Sequence, residues 1–290
     1  TITGSGLIEG TSNDDSIVGS DENDTIIPYE GYDTIISGAG NDVIKIVELN
    51  GRKYLNDVNA DDKIQYLYRE GADYYYEKDN NNLAITQNID DNYQIVIIKD
   101  FFTSDSRLDT IEFINEDDEV INTVSILNDV QIHISDVDAT ETPYQGSDYN
   151  EIISGSGTIY AKGGNDEIST GEGDDKIYAG AGNDSINAGS GNNEIYFDET
   201  CGNLNIANGG GNDTLVLPNV SSQDISENRV QFTKSDDESS LIINIGDSQS
   251  INIEDFYTQE HSVKMIKLSD KDEAEDINNY INDTIDPGTI

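Results

Sequence analysis

The stretch GEGDDKIYAGAGNDSINAGSGNNEIYF, residues 171–197, restates one pattern every nine residues: Gly-x-Gly, two Asn or Asp, then x-Ile-x. The x-Ile-x segment has room for a strand of only two or three residues, its central side chain pointing one way and its neighbours the other. Glycine ahead of the acid lets the backbone adopt positive φ and turn its carbonyls to one side. Each unit therefore supplies one turn rich in oxygen atoms and one apolar rung.

The pattern occurs in two blocks. In the first, Asp15, Asp24, Asp33 and Asp42 stand nine apart, each followed two residues later by Ile17, Ile26, Ile35 and Ile44, and Ile8 extends the apolar row one step earlier. In the second, Asp166, Asp175, Asp184 and Asn193 keep the same spacing, followed by Ile168, Ile177, Ile186 and Ile195. Asp213 with Leu215 reappears after an insertion of two, while Ile159 and Ile206 fit the apolar row without an acid. A flexible Gly-rich linker with solvated acids has no reason to hold isoleucine at fixed spacing through repeated turns.

Between the blocks glycine nearly vanishes and short β-like runs take over (YYYEK, LAIT, YQIVIIKDFF, TIEFI), with turns expected at Asn80–Asn82 and Asp90–Asn92. A similar passage follows the second block. DFFTSDSRLDTIEF, from Asp100, matches DFYTQEHSVKMIKL, from Asp255, at an offset of 155, and upstream Leu83 and Ile85 face Leu241 and Ile243 at 158. The chain reads as a tandem: a repeat block at 1–47 with a β flank at 48–142, then a second block at 143–217 with its flank at 218–270. Residues 271–290 have helical spacing at Ala274, Ile277, Tyr280 and Ile281 and predict a short helix leading to a linker.

Charge narrows the function. Asp and Glu number 59 against 15 Lys and Arg, a formal charge of -44, so phosphate neutralisation has no basic cluster to rest on and nucleic acid is excluded as a partner. Anionic membrane surfaces are disfavoured on the same ground, and no window approaches the apolar length of a membrane span. Cys201 is the single cysteine, which rules out an internal disulfide and leaves divalent metal as the stabiliser of an extracellular chain. The start at Thr1 lacks the basic-then-apolar pattern of a signal peptide, and the sequence is expected to be a piece of a longer chain.

The units TGEGDDKIY, AGAGNDSIN, AGSGNNEIY, NGGGNDTLV and SGAGNDVIK resemble the RTX (repeats-in-toxin) nonapeptide, G-G-x-G-x-D-x-U-x with U apolar. Those around Asp15, Asp24 and Asp33 keep the Asp and Ile but lose most glycines. The flanks also look like the haemolysin-type β segments that accompany such repeats. This resemblance implies an all-β fold of two right-handed parallel β-rolls, each followed by a capping β flank. It implies calcium between turns stacked two repeat units apart, pairing Asp15 with Asp33, Asp24 with Asp42, Asp166 with Asp184 and Asp175 with Asn193. The metal ligands it implies are these residues with Asp213, together with the turn glycines Gly38, Gly40, Gly171, Gly173, Gly180, Gly182, Gly189, Gly191, Gly209 and Gly211. Asn193 brings no charge, so its site is expected to be weaker, and the Leu204 rung is assigned no ion.

Calcium suits such turns because it takes six to eight oxygen ligands in flexible geometry, whereas zinc wants His or Cys and the chain has two His. Energetics point the same way. A buried Ile contributes about 1.5–3 kcal/mol, while ordering nine backbones costs about 9–18 kcal/mol, so a ligand bound only by the folded chain is needed. Extracellular calcium modules work at concentrations on the order of 10⁻⁴ to 10⁻³ M. For the resembling family this implies export unfolded through a one-step channel, with folding outside the cell.

The expected function is a calcium-binding structural or adhesive module of a secreted surface-layer protein, adhesin or toxin. Its partners would be calcium ions and neighbouring copies or cell-surface glycans, without nucleic acid and without membrane insertion by this segment. The alternative is a non-catalytic accessory region of an extracellular polysaccharide-modifying enzyme or hydrolase. No enzyme is expected within the chain: His133 and His261 have no nucleophile at a recognisable spacing, and no Gly-x-Ser-x-Gly is present. The tyrosines Tyr66, Tyr68, Tyr74, Tyr75 and Tyr76 could stack a sugar but more often pack a sheet. Asp286-Pro287 has the dipeptide of a calcium-triggered cleavage, yet reads as chain-end linker.

Overall fold

A computed structural model describes the chain apart from residues 91, 104–107, 208, 259–260 and 285–290. Asp286-Pro287 lies outside the described residues. The chain packs as two compact units, Thr1–His133 and Ile134–Ile290.

In the first unit the x-Ile-x segments become strands of two parallel sheets visited alternately. One sheet runs Ile2–Thr3, Ser16–Val18, Tyr32–Ile36, Gly51–Leu55 and Asn92–Ile98, in that order. The other runs Leu7–Glu9, Thr25–Ile27, Val43–Ile46, Lys63–Leu67 and Thr110–Ile114. One repeat unit carries the chain from one sheet to the other and two close a coil, which is why each isoleucine stacks on the one two repeats earlier. Ile17 pairs with Ile35 and then Leu55, and Ile26 with Ile44 and then Ile64. All six are at most 1% exposed. β-branched side chains suit this stack because they are stiff at χ1 and pack well on a pleated surface.

The roll does not stop where the nine-residue pattern stops. Gly51–Leu55 and Lys63–Leu67 add a further coil whose step is longer than two repeat units by two positions, as the pairs Ile35 with Leu55 and Ile44 with Ile64 show. Part of the first flank is thus roll. Only beyond Asn92–Ile98 does pairing turn antiparallel, through Asn82–Ile89 and Asp73–Asp79. On the other sheet Val120–Ser125 closes the edge in the same way. These antiparallel strands cover what would otherwise be an open parallel edge.

The second unit repeats the plan. Ile153, Ile168, Ile186, Ile206 and Ile253 form one row, and Ile159, Ile177, Ile195, Leu215 and Ile266 the other. The first four rungs of each row keep one constant offset from their counterparts in the first unit, as from Ile17 to Ile168 and from Ile26 to Ile177. The last rung is shifted four positions further, as from Ile98 to Ile253 and from Ile111 to Ile266, so the offset of 155 seen in the flanks is that of the final coil. Asp100 and Asp255, which open the matching DFF and DFY turns, share a φ of 54°. Antiparallel Leu241–Ile245 and Val230–Lys234 finish one row and Glu275–Asp276 the other. On the outer face Tyr160, Tyr178 and Tyr196 stack with ring centroids 4.4 and 4.1 Å apart.

One expectation changes. The terminal helix spans Asn278–Thr284, with Glu275–Asp276 paired as strand, so Ala274 lies outside it. The tyrosine cluster is mostly core: Tyr66 and Tyr76 are buried, and Tyr74 meets Phe113 edge-on at 4.9 Å, leaving Tyr68 and Tyr75 about half exposed. Cys201 is buried, and burial pushes its pKa up to about 11. The turns at Asn80 and Asp90 form as expected, both with positive φ. Among the described residues no helix is long and apolar enough to cross a membrane.

Candidate metal centre

The acids of the repeat line the turns between the two sheets and stack coil on coil. In each coil one carboxylate oxygen accepts the backbone N–H of the equivalent residue in the preceding coil. Asp33 Oδ1 accepts from Asp15 N at 2.8 Å, Asp42 Oδ1 from Asp24 N at 2.8 Å, Asp184 Oδ1 from Asp166 N at 2.9 Å, and Asn193 Oδ1 from Asp175 N at 2.9 Å. All four pairs implied by the resemblance are therefore stacked neighbours. Asp62, a position the repeat pattern does not reach, extends the row by accepting from Asp42 N at 2.9 Å. Asp213 does so from Asn193 N at 3.0 Å, across the same longer step.

The residue just before each acid is also employed. Asp14, Asn23, Asn165 and Asp174 accept N–H bonds of 2.8–2.9 Å from the next coil, from Tyr32, Asn41, Asn183 and Asn192. This accounts for the paired Asn/Asp of the repeat. One side chain ties the outside of the turn and the other the inside, so the backbone donors of an otherwise irregular segment are satisfied.

Glycine is required because successive turns nearly touch. A Cβ on Gly182 would stand 1.8 Å from Gly164 O, and one on Gly191 2.0 Å from Gly173 O. Both residues have positive φ, 131° and 129°. Gly38, Gly40, Gly173, Gly180, Gly189 and Gly211 share the positive φ, whereas Gly171 and Gly209 do not. The carbonyls of Gly171, Gly189 and Gly191 each accept one N–H from the following coil, which leaves each a second lone pair.

The second carboxylate oxygen divides the turns into two kinds. Asp15 Oδ2 accepts from Thr11 N at 2.8 Å and Thr11 Oγ1 at 2.7 Å, and Asp24 Oδ2 from Ser20 N at 2.7 Å and Ser20 Oγ at 3.0 Å. Asp62 Oδ2 accepts from Asn59 N at 2.9 Å. These turns are closed by their own residues. By contrast, Asp42, Asp166, Asp175 and Asp213 each keep a buried Oδ2 with no hydrogen-bond partner. Asp33 is a third case: its buried Oδ2 accepts no hydrogen bond of regular geometry, but Lys53 Nζ lies 2.7 Å away and pairs with its charge. At Asn193 the amide nitrogen bonds Ala188 O at 2.9 Å and Asp213 Oδ1 at 2.8 Å.

Titration behaviour follows this division. Burial raises the Asp24 carboxyl, but the bonds from Ser20 and Gly6 outweigh it and hold the group below the ordinary value. Burial pushes Asp166 up to about 9, with the Asp184 and Glu151 charges adding to it, and pushes Asp184 up to about 6. Burial raises Asp42 as well, against hydrogen bonds from Asp24 N and the Ser37 side chain and with the Asp24 and Asp57 charges adding to it. An ionised carboxylate in such a place needs a cation. Burial likewise raises Asp213, where hydrogen bonds from Asn193 and Ser262 and then the Lys264 charge pull the other way.

The open turns fit calcium. Each offers a buried carboxylate oxygen without a partner beside stacked backbone carbonyls, which is the hard, flexible oxygen set the ion takes. Among the described residues no three His, Cys, Asp or Glu side chains converge on one point, so the carbonyls must supply most of a coordination shell. Asp42, Asp166, Asp175 and Asp213 would hold the ion. Bound there, calcium supplies charge neutralisation and a cross-link between coils.

The model of the RTX calcium-binding nonapeptide repeat matches residues 9–44 and 160–195, in four copies. No curated protein sequence matches the chain. Among solved structures, the extracellular lipase LipA from Serratia marcescens is similar at 16% identity and a TM-score of 0.32, over 89% of this chain and 38% of the lipase chain. This chain thus spans well under half the length of that protein. With coils of two repeat units, stacked isoleucine rows and unpartnered aspartate oxygens in its turns, the chain carries two blocks of RTX calcium-binding nonapeptide repeat, folded as β-rolls.

Proposed function

We propose that the chain is a structural or adhesive module of a larger secreted protein of the surface-layer, adhesin or toxin kind, and that it folds on calcium outside the cell without catalysing a reaction. The observation that supports this most is the set of buried Oδ2 atoms at Asp42, Asp166, Asp175 and Asp213, which have no partner until a cation arrives. A chain of charge -44 also repels itself when compact, and calcium relieves that repulsion where it is densest. In a compartment poor in calcium the open turns leave buried charge uncompensated, and the chain loses stability there most. At external calcium the turns close.

Circular dichroism during a calcium titration, with magnesium as control, tests the reading. A cooperative rise in β signal in the range of about 10⁻⁴ to 10⁻³ M, absent with magnesium at equal concentration, is expected. A chain already fully folded in chelator and indifferent to calcium overturns it.

A further inference from the structure

On one side of the first roll the acids are Asp15 and Asp33, and the residue paired with Asp33 in the next coil is Lys53. Its ammonium lies 2.7 Å from Asp33 Oδ2 and 2.8 Å from Gly31 O, and the two side chains are 1% and 0% exposed. Those two atoms, a carboxylate oxygen and a turn carbonyl two residues before it, are the kind of ligands the open turns offer to a metal. The ammonium is a compact point charge with three donors. We infer that Lys53 occupies the cation position between the coil of Asp33 and the coil that follows it on this side of the first roll, so that no calcium binds there and this side of the roll closes on the chain's own charge.

The surroundings support the assignment. The preceding acid in this row, Asp15, is closed by Thr11, so neither turn of the row presents an open oxygen. The step from Asp33 to Lys53 is longer than that from Asp15 to Asp33, yet the longer step does not prevent aspartate from serving, because Asp62 and Asp213 accept the stacked N–H across an equal one. Lysine, not the spacing, is what removes the metal. In the second unit the equivalent rung is Leu204, paired with Asp184, so the equivalent position there holds neither an acid nor a cation. A fixed ammonium is present at any calcium concentration, whereas the second unit's equivalent row still contains the open Asp166.

The inference rests on the calcium reading, and counting ions separates the two. Native mass spectrometry of the full chain in saturating calcium gives the count for the parent, for Lys53→Asp and for Asp33→Asn, with circular dichroism confirming that each is folded. Lys53→Asp is expected to bind one calcium more than the parent, and Asp33→Asn the same number as the parent, since asparagine keeps the Oδ1 acceptor for Asp15 N. A folded Lys53→Asp with an unchanged count overturns the inference. Should that variant fail to fold, Asp33→Asn decides: loss of one ion means that calcium, not Lys53, sits on Asp33. A parent that binds no calcium overturns the underlying reading instead.

Discussion

Ser20–Asp24 in the first unit and Gly171–Asp175 in the second occupy the same place in the two rolls, each leading into equivalent rungs at Ile26 and Ile177. Both aspartates are buried, and both use Oδ1 to accept an N–H from the coil before, Gly6 and Gly157. They part at Oδ2. Serine closes the first turn through its N–H and hydroxyl, while at the second the oxygen is left without a partner. The same repeat position can therefore be a metal site or a finished hydrogen-bonded turn. What decides between these two turns is whether the residue four before the acid, Ser20 or Gly171, donates to its Oδ2.

The largest expected difference comes from removing each acid. Asp175→Ala in the presence of calcium forfeits a bound ion, worth about 2.7 kcal/mol at a hundredfold excess over its dissociation constant, and leaves Gly157 N unpaired for about 1–3 kcal/mol more. Asp24→Ala forfeits only hydrogen bonds, about 1–3 kcal/mol, and by the same amount with calcium or chelator. Hydrogen exchange of the full chain reads the two regions separately. If the loss at Asp24 is as calcium-dependent as that at Asp175, the division into closed and open turns fails.

The apolar rows and the acid pairs were legible in the sequence because both follow from a fixed period: Ile17 over Ile35 and Asp166 over Asp184 need only a count of two repeat units. The coil of Gly51–Leu55 and Lys63–Leu67 was not. There the two-residue insertion coincides with loss of glycine, so Leu55, Ile64 and Asp62 look like flank, whereas the identical insertion before Asp213 was recognisable through Gly209–Gly211. Neither the role of Lys53 nor that of Thr11 shows in a spacing. Each depends on where a side-chain end lies relative to a carboxylate, which periodicity does not encode.

A smaller and opposite-signed contrast is expected with pH in chelator. Asp166 and Asp184 have folded pKa values raised to about 9 and about 6, above an unfolded value of about 3.9. Their contribution to stability is full below about pH 4, and is lost as pH rises towards about 6 at Asp184 and about 9 at Asp166, at up to about 1.4 kcal/mol per pH unit for each group. Asp24, whose folded value is lowered, contributes in the reverse sense and loses its share as pH falls through that value. Exchange protection over residues 160–190 should thus be greater at pH 5 than at pH 8.5 without calcium. Calcium, which needs the carboxylates ionised, should abolish or invert that slope. A second unit whose apo protection rises with pH contradicts the buried, uncompensated state assigned to Asp166.

The smallest effect tests the comparison most directly. Ser20→Gly removes one hydroxyl, whose bond to Asp24 Oδ2 at 3.0 Å is worth about 1 kcal/mol, and gives the first-unit turn the glycine found at Gly171. Ser20 N can still donate to Oδ2, so the turn should open only in part. The expected outcome is a loss of about 1 kcal/mol in chelator that calcium partly restores, read as a calcium-dependent change in exchange around residues 20–27 that the parent lacks. If calcium restores nothing, the N–H alone keeps the turn closed, and the backbone conformation at position 20, more than its hydroxyl, separates a finished turn from a metal site.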